Sequence, residues 1–301
     1  ILSRWTQTQK KDCRSRIMVR KIERIETIGI LLGDNLVDVS VRIWEPKDSK
    51  SALICIHGFG GTSEDFAPLA ETLVKVGVTV IAPDMFGRGQ SSFFGIPNAY
   101  NLRIQLTAIA VTKRYQKEKN CHLGTSWGGF MMLSHLVTQN WITSGLILND
   151  CPIDANMIPK DHYQKLKIES TRIFPSWSEA EEYVLTSRQR HFLTGSLKDR
   201  FVASRLRKVD DGWRMNYDPA LSETLSMKQF SIEKLLSDAP KPVLMNFGKD
   251  SPYANDPRNI KIAKANSNVT VLKSMLDTHP PSLMKPDQIL TISGYLGQCL
   301  N

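Results

Sequence analysis

The sequence predicts a doubly wound α/β fold with a mostly parallel sheet and an inserted helical cap. Continuous apolar runs, of the kind that suit strands buried on both faces, alternate with segments of helical spacing. The runs end in glycines or polar residues, as strands feeding loops do. The alternation stops at about residue 153 and resumes after 226, which marks an insertion.

In chain order, RIETIGILLG (24–33) and NLVDVSVRIWEP (35–46) read as two strands around Gly33-Asp34-Asn35. The second alternates apolar and polar residues, as a strand with one wet face does. SALICIHGFGG (51–61) is a continuous apolar strand ending in glycines, and DFAPLAETLVKVG (65–77) has helical spacing closed by Gly77. VTVIAPDMFGRGQSS (78–92) is a buried strand running into a glycine loop, and residues 101–119 form an amphipathic helix. CHLGTS (121–126) is a short strand, WGGFMMLSHLVTQN (127–140) a helix and SGLILNDCP (144–152) the next buried strand. Residues 153–226 are charged, mostly helical and dotted with aromatics, and no buried parallel strand appears among them. PKPVLMNFGKD (240–250), a helix over 256–265, NVTVLKS (268–274) and a helix over 286–298 complete the pattern. The expected organisation is therefore a basic arm (1–24), a core (25–152 and 227–301) and a cap (153–226).

The net charge of +9 does not point to nucleic acid. Residues 1–24 hold eight Lys or Arg and two acids, so six of the nine positive charges sit in that arm. It reads as a solvated basic segment. No apolar run approaches the ~20 residues that span a bilayer, and the N-terminal residues lack the apolar core of a secretory signal. The five cysteines (13, 55, 121, 151, 299) are odd in number and scattered, with no C-x-x-C. That is neither a disulfide framework nor a zinc site, and the expected setting is reducing and cytoplasmic.

GTSWG (124–128) fits G-x-S-x-G. A serine at a sharp strand-to-helix turn thrusts its hydroxyl outward, and the flanking glycines let neighbouring chain pass without Cβ clashes. The helix that follows aims its N-terminal N–H groups at developing negative charge. The apolar strand before Ser126 and the apolar helix after it are the context this pattern requires. In IHGFGGTS (56–63), a glycine turn ends a strand, and such a turn can aim a backbone N–H at an oxyanion. The candidate donors are Phe59 and Trp127. His57 is expected to brace this loop rather than act as a base.

A serine nucleophile needs a base, and the base needs a carboxylate. Of the six histidines, His122 precedes the serine, His135 lies on the helix after it, and His162 and His191 fall in the insertion. His279 sits in a loop directly after the strand at 268–274, on the sheet edge where ligands of open α/β sheets bind. It is the expected base. For the acid, Asp250 follows the strand PVLMNFG, while Asp150, next to the nucleophile's strand, is its main competitor and Asp256 a third choice. Asp84 is expected to hold a glycine loop together, and Asp277 to face solvent.

HGFGGTS (57–63), DMFGRGQSS (84–92), GTSWGG (124–129), PVLMNFGKD (242–250) and THPPSLMKPDQI (278–289) occur in an order and at spacings that resemble the α/β-hydrolase-fold serine hydrolases over most of residues 24–300. LILNDCP (146–152), DDGWRMNYDPAL (210–221) and HPPSLMKPDQI (279–289) are similar to a capped bacterial subgroup of esterases and lactonase-like hydrolases. Thr278 stands where that subgroup commonly has Gly, and the loop GKDSPYAND is shorter than its counterpart. The resemblance implies Ser126 as nucleophile, His279 as base, Asp250 as acid, and hydrolysis of a small, mostly apolar ester, lactone or thioester through an acyl-enzyme. That chemistry needs no metal or organic cofactor. His57 and Gly58 at the loop and Trp177 and Phe192 in the insertion are the expected substrate contacts. Expected partners are a small-molecule substrate and a second copy in a homodimer, with no nucleic acid. The alternatives are a carbon–carbon bond hydrolase of ring-cleavage diketones and a non-catalytic ligand-binding protein on the same scaffold.

Overall fold

Long apolar runs become the middle of a sheet. A computed structural model of the chain describes residues 23–159, 161–224, 231–274 and 279–300. Most of the basic arm, the expected junction between cap and core, Asp277 and Thr278 lie outside the described residues.

Strands β1 (Glu23–Leu32) and β2 (Asn35–Trp44) form an antiparallel hairpin. Then β3 (Ser51–Ile56), helix α1 (Ala67–Leu73), β4 (Val78–Pro83), α2 (Leu102–Ala110), β5 (Lys119–Thr125), α3 (Trp127–Thr138) and β6 (Gly145–Asn149) alternate along the chain. The insertion contributes α4 (His162–Thr171), α5 (Trp177–Ser187), α6 (Gly195–Arg205), the hairpin β7 (Leu206–Val209) and β8 (Gly212–Met215), and the short α7 (Leu221–Thr224). The chain returns through α8 (Glu233–Ser237), β9 (Val243–Gly248), α9 (Pro257–Ala265), β10 (Val269–Ser274) and α10 (Pro286–Leu300).

The sheet has eight strands in the order β1-β2-β4-β3-β5-β6-β9-β10. β2 runs antiparallel to β4, and every pairing from β4 to β10 is parallel. Apolar residues cover both faces. Ile54, Ile56, Met131 and Met245 pack on one side, and Leu53, Leu69, Ile147 and Ile292 on the other. Burying each such side chain contributes about 1.5–3 kcal/mol, before the entropy cost of ordering the chain. This two-sided burial is why β3, β6 and β9 read as near-continuous apolar runs.

Two elements differ from expectation. The helix foreseen over 101–119 stops at Ala110 and passes through a 3-10 turn, because Lys119 and Asn120 are already extended and pair with Ser51 and Ala52 of β3. The insertion carries a hairpin as well as helices. Its turn is Asp210-Asp211, and Gly212 packs so closely that a Cβ there would lie 2.2 Å from the Phe174 carbonyl oxygen.

The sheet's central crossing has no spare room. A Cβ at Gly128 would lie 2.4 Å from the carbonyl oxygens of both Ile56 and His57, and one at Gly124 would lie 2.4 Å from the Gly128 carbonyl oxygen. These glycines let α3 dock against the ends of β3 and β5. Gly128→Ala is therefore expected to cost at least ~3 kcal/mol. Gly294→Ala, in α10 with nothing near its Cβ, should gain roughly 0.5–1 kcal/mol. Urea denaturation of both variants checks the contrast.

His122, buried in β5, has its Nδ1 2.9 Å from Thr143 Oγ1. Burial, then the charge of His135, pushes its pKa down to about 3. The unfolded chain takes up this proton below pH ~6.5 while the folded chain refuses it. Stability is thus lost as pH falls from about 6.5 towards 3. In His122→Gln, proton uptake on unfolding at pH 5, read from the slope of stability against pH, should fall by about one.

Candidate active site

The C-terminal ends of β3, β5 and β6 lie side by side because these strands are neighbours in one parallel sheet. β5 ends at Thr125, which pairs with Asn149 at the end of β6. The next residue of each strand is Ser126 and Asp150, and the Ser126 N–H donates to the Asn149 carbonyl at 2.8 Å. Both residues have positive φ, 51° at Ser126 and 58° at Asp150. Such backbone costs about 1–3 kcal/mol per residue and is typical of sites where the fold over-determines a strained turn. At Ser126 the strain marks the turn from β5 into α3.

Ser126 Oγ lies 3.2 Å from His279 Nε2. The opposite ring nitrogen, Nδ1, lies 3.3 Å from Asp150 Oδ2. That contact is close in distance but not aligned as a hydrogen bond, a looseness common before substrate tightens a site. Asp150 is fully buried, and its Oδ1 accepts from Ser251 Oγ at 2.5 Å. Tyr253 packs edge-on against the His279 ring, with centroids 4.7 Å apart. The buried Asn149 secures the loop behind His279. Its Nδ2 donates to the Pro281 carbonyl at 2.9 Å, and its Oδ1 accepts from Asn246 Nδ2 at 3.0 Å.

The arrangement brings Asp150 to His279, where Asp250 was the expected neighbour. Asp250 is exposed, two residues past the end of β9. Asp150, the competitor, stands on the adjacent strand and faces His279. Asp256 instead caps α9 and pairs with Arg258.

The glycine loop after β3 presents the first candidate oxyanion donor. The Gly58 carbonyl accepts from His57 Nδ1 at 2.8 Å and from the Gly61 N–H at 3.0 Å. In a planar trans peptide the N–H points opposite to the C=O, so the Phe59 N–H is turned away from these two donors. A Cβ at Gly58 would sit 3.8 Å from Ser126 Cβ, which sets the loop against the serine. The second candidate, the Trp127 N–H, is the first of α3 and has no acceptor within its own helix. His57 is a brace. Its Nε2 accepts from the Met85 N–H at 3.0 Å, and burial, then the charge of Arg88, pushes its pKa down to about 3. Asp84 holds both glycine loops, accepting from the N–H of Ser63 at 2.7 Å and of Gln90 at 3.0 Å.

Sequence reasoning missed Arg88. Fully buried, it donates from Nε to the Phe59 carbonyl at 2.9 Å and from Nη1 to the Phe86 carbonyl at 2.8 Å. Its guanidinium also lies over the Trp127 ring at 4.3 Å and the Phe59 ring at 5.0 Å. It therefore fastens together both residues whose amides are candidate oxyanion donors. The only hint in the sequence is a charged residue inside the glycine loop DMFGRGQSS.

A cavity of about 270 Å³ opens beside Ser126 and His279, lined by the glycine loop, by Pro280–Ser282 and by the insertion. Of the four expected substrate contacts, Gly58 lines it. His57 lies behind the loop, Trp177 packs edge-on against Trp213 in the insertion, and Phe192 is 41% exposed on the outside near Lys285. The lining from the insertion is instead Leu166, Phe201 and a set of polar and basic side chains. Among the described residues no group of three or more His, Cys, Asp or Glu side chains is placed to hold a metal ion.

Residues 47–228 match the model of the family described as serine aminopeptidase, S33. The chain belongs to this family of α/β hydrolases. Over 267 residues this hydrolase is 24% identical to the 3-hydroxybutyrate-oligomer hydrolase of Cupriavidus necator, a match covering 82% of this chain and 88% of that one. It is 33% identical over 95 residues to protein ABHD8 of Homo sapiens, covering 31% of this chain and 22% of the relative's length. The chain thus spans about a fifth of that relative. In structure it is similar to an alpha/beta hydrolase from Novosphingobium aromaticivorans, with a TM-score of 0.75 at 19% identity, covering 92% of this chain and 99% of the other. No helix among the described residues of this hydrolase is long and apolar enough to cross a membrane.

Exchanging the two rival acids separates them. Asp150→Asn should slow the reaction of Ser126 with a fluorophosphonate probe by about 10³-fold or more, by analogy with loss of the acid in other triads, while Asp250→Asn should leave it within about twofold. Probe-labelling rates, with circular dichroism to confirm folding, make the comparison.

Proposed function

We propose that the protein hydrolyses a carboxylic ester of a small molecule through an acyl-enzyme, with Ser126 as nucleophile, His279 as base and Asp150 as acid. The observation that carries this reading is the run of three side chains, in which one imidazole has the serine hydroxyl at one nitrogen and a buried carboxylate at the other. In the first half-reaction Ser126 Oγ attacks the ester carbonyl as its proton passes to His279 Nε2. Asp150 holds the imidazole in position and stabilises its positive charge. The Phe59 and Trp127 N–H groups receive the oxyanion. The tetrahedral intermediate collapses when His279 returns the proton to the leaving alcohol. Water, deprotonated by His279, then attacks the acyl-enzyme, and collapse of the second intermediate releases the acid and restores Ser126.

Membership of a hydrolase family supports hydrolysis in general. The name of the Cupriavidus necator relative, an oligomer hydrolase of a hydroxy acid, supports an ester as the bond. The wild-type chain should turn over p-nitrophenyl acetate or butyrate and take a fluorophosphonate label at residue 126, and Ser126→Ala should do neither. A wild-type chain inert to both reagents would overturn the reading. Faster turnover of a vinylogous diketone than of either ester would move the assignment to carbon–carbon bond hydrolysis.

A further inference from the structure

The loop after β9, the expected place of the acid, supplies a hydroxyl instead. It turns back on itself, with the Ser251 N–H donating to the Gly248 carbonyl at 3.1 Å and the Ala254 N–H to the Ser251 carbonyl at 3.2 Å. The turn leaves Asp250 exposed and buries Ser251. The buried hydroxyl donates to Asp150 Oδ1 at 2.5 Å. The direction of this bond is set by a second one, in which Ser251 Oγ accepts from the Tyr253 N–H at 3.1 Å. An amide N–H can only donate and an ionised carboxylate can only accept, so the single hydroxyl proton of Ser251 lies towards Asp150.

The same turn also reaches the base. The buried Tyr253 ring packs edge-on against His279, and the Tyr253 carbonyl accepts from Nδ2 of Asn259, buried in α9, at 2.9 Å. One short turn, anchored to a helix, therefore touches both the carboxylate and the imidazole. The terminal torsion of an aspartate is broad, and its carboxylate turns easily unless it is held. A donor fixed on Oδ1 orients Oδ2, which lies 3.3 Å from His279 Nδ1.

We propose that Ser251 is a positioning residue of the site, its hydroxyl holding Asp150 Oδ1 so that Oδ2 stays aimed at His279 Nδ1. This inference rests on the acyl-enzyme reading of Ser126, His279 and Asp150. Ser251→Ala should slow fluorophosphonate labelling of Ser126, and lower kcat for p-nitrophenyl butyrate, by about ten- to a hundredfold, with KM within about twofold. In an Asp150→Asn background the same change should cost less than about twofold, because Ser251 acts through the carboxylate. Ser251→Cys, of similar shape but a weaker donor, should fall between wild type and Ser251→Ala. Thermal melts show whether each variant folds.

A folded Ser251→Ala within about twofold of wild type overturns the proposal, as do losses that add in full in the double variant. If Ser251→Ala does not fold, Ser251→Cys is read alone, and a wild-type rate in it is equally fatal. If the wild-type chain neither turns over an ester nor takes the label, the ester reading fails separately. Proton NMR of the His279 Nδ1–H, identified by its loss in His279→Gln, then decides the positioning role. A downfield resonance that moves upfield or is lost to exchange in Ser251→Ala supports it. An unchanged resonance, or none in the wild type, ends it.

Discussion

The hydrogen bond from the Ser126 N–H to the Asn149 carbonyl, at 2.8 Å, is where the site begins. It ties the last pair of β5 and β6 together, so the residues that follow, Ser126 and Asp150, leave the sheet side by side with positive φ. A serine in that conformation offers its hydroxyl to the space above the sheet edge. Its neighbour places a carboxylate where a histidine from the loop after β10 can reach both. The close packing at Gly124 and Gly128 makes this possible, since any side chain there would push α3 off the ends of β3 and β5.

Around this pair the fold spends polar groups in its interior, and most are satisfied. Asn246, Asn149 and the Pro281 carbonyl form a short chain that fixes the His279 loop. Asp84, His57 and Arg88 do the same for the glycine loops on the other side. Buried hydrogen bonds of this kind are strong in a low dielectric and costly to leave half made. They hold the candidate oxyanion donors and His279 against a sheet edge that apolar packing alone would not orient. Arg88 is the plainest case, a buried cation shared between two carbonyls and two aromatic faces.

The insertion is fastened to the core through charge. Arg200 reaches Glu23, Glu64 and Glu71, Arg205 pairs with Asp65, and Asp218 accepts from the Gly95 N–H and from Tyr100 Oη. Arg188 of the same insertion lies beside the glycine loop at Gly60. Several aromatic residues of the insertion serve its own packing, as Trp177 against Trp213 and Phe174 against Tyr183 show. An aromatic wall was the natural expectation from composition. The side chains that reach the cavity from this segment are largely polar, because its aromatics are consumed in joining short helices to a hairpin.

Much of this protein is legible in its sequence. Strand and helix order, the parallel centre of the sheet and the turn at Ser126 follow from local pattern, because a strand covered on both faces must be apolar throughout and a strained turn must have glycines beside it. Candidate oxyanion loops and His279 also follow, since every loop after a parallel strand opens on the same edge. The carboxylate does not. Asp150 and Asp250 both follow buried strands, and only the packing of the loops decides which of them meets His279. Asp150 Oδ2 lies 3.3 Å from His279 Nδ1, while Asp250 is exposed. For the same reason the lining of the cavity appears only in three dimensions. Arg188 and Arg205 are ordinary basic residues in a charged stretch until the insertion folds back and brings them to Gly60 and Asp65.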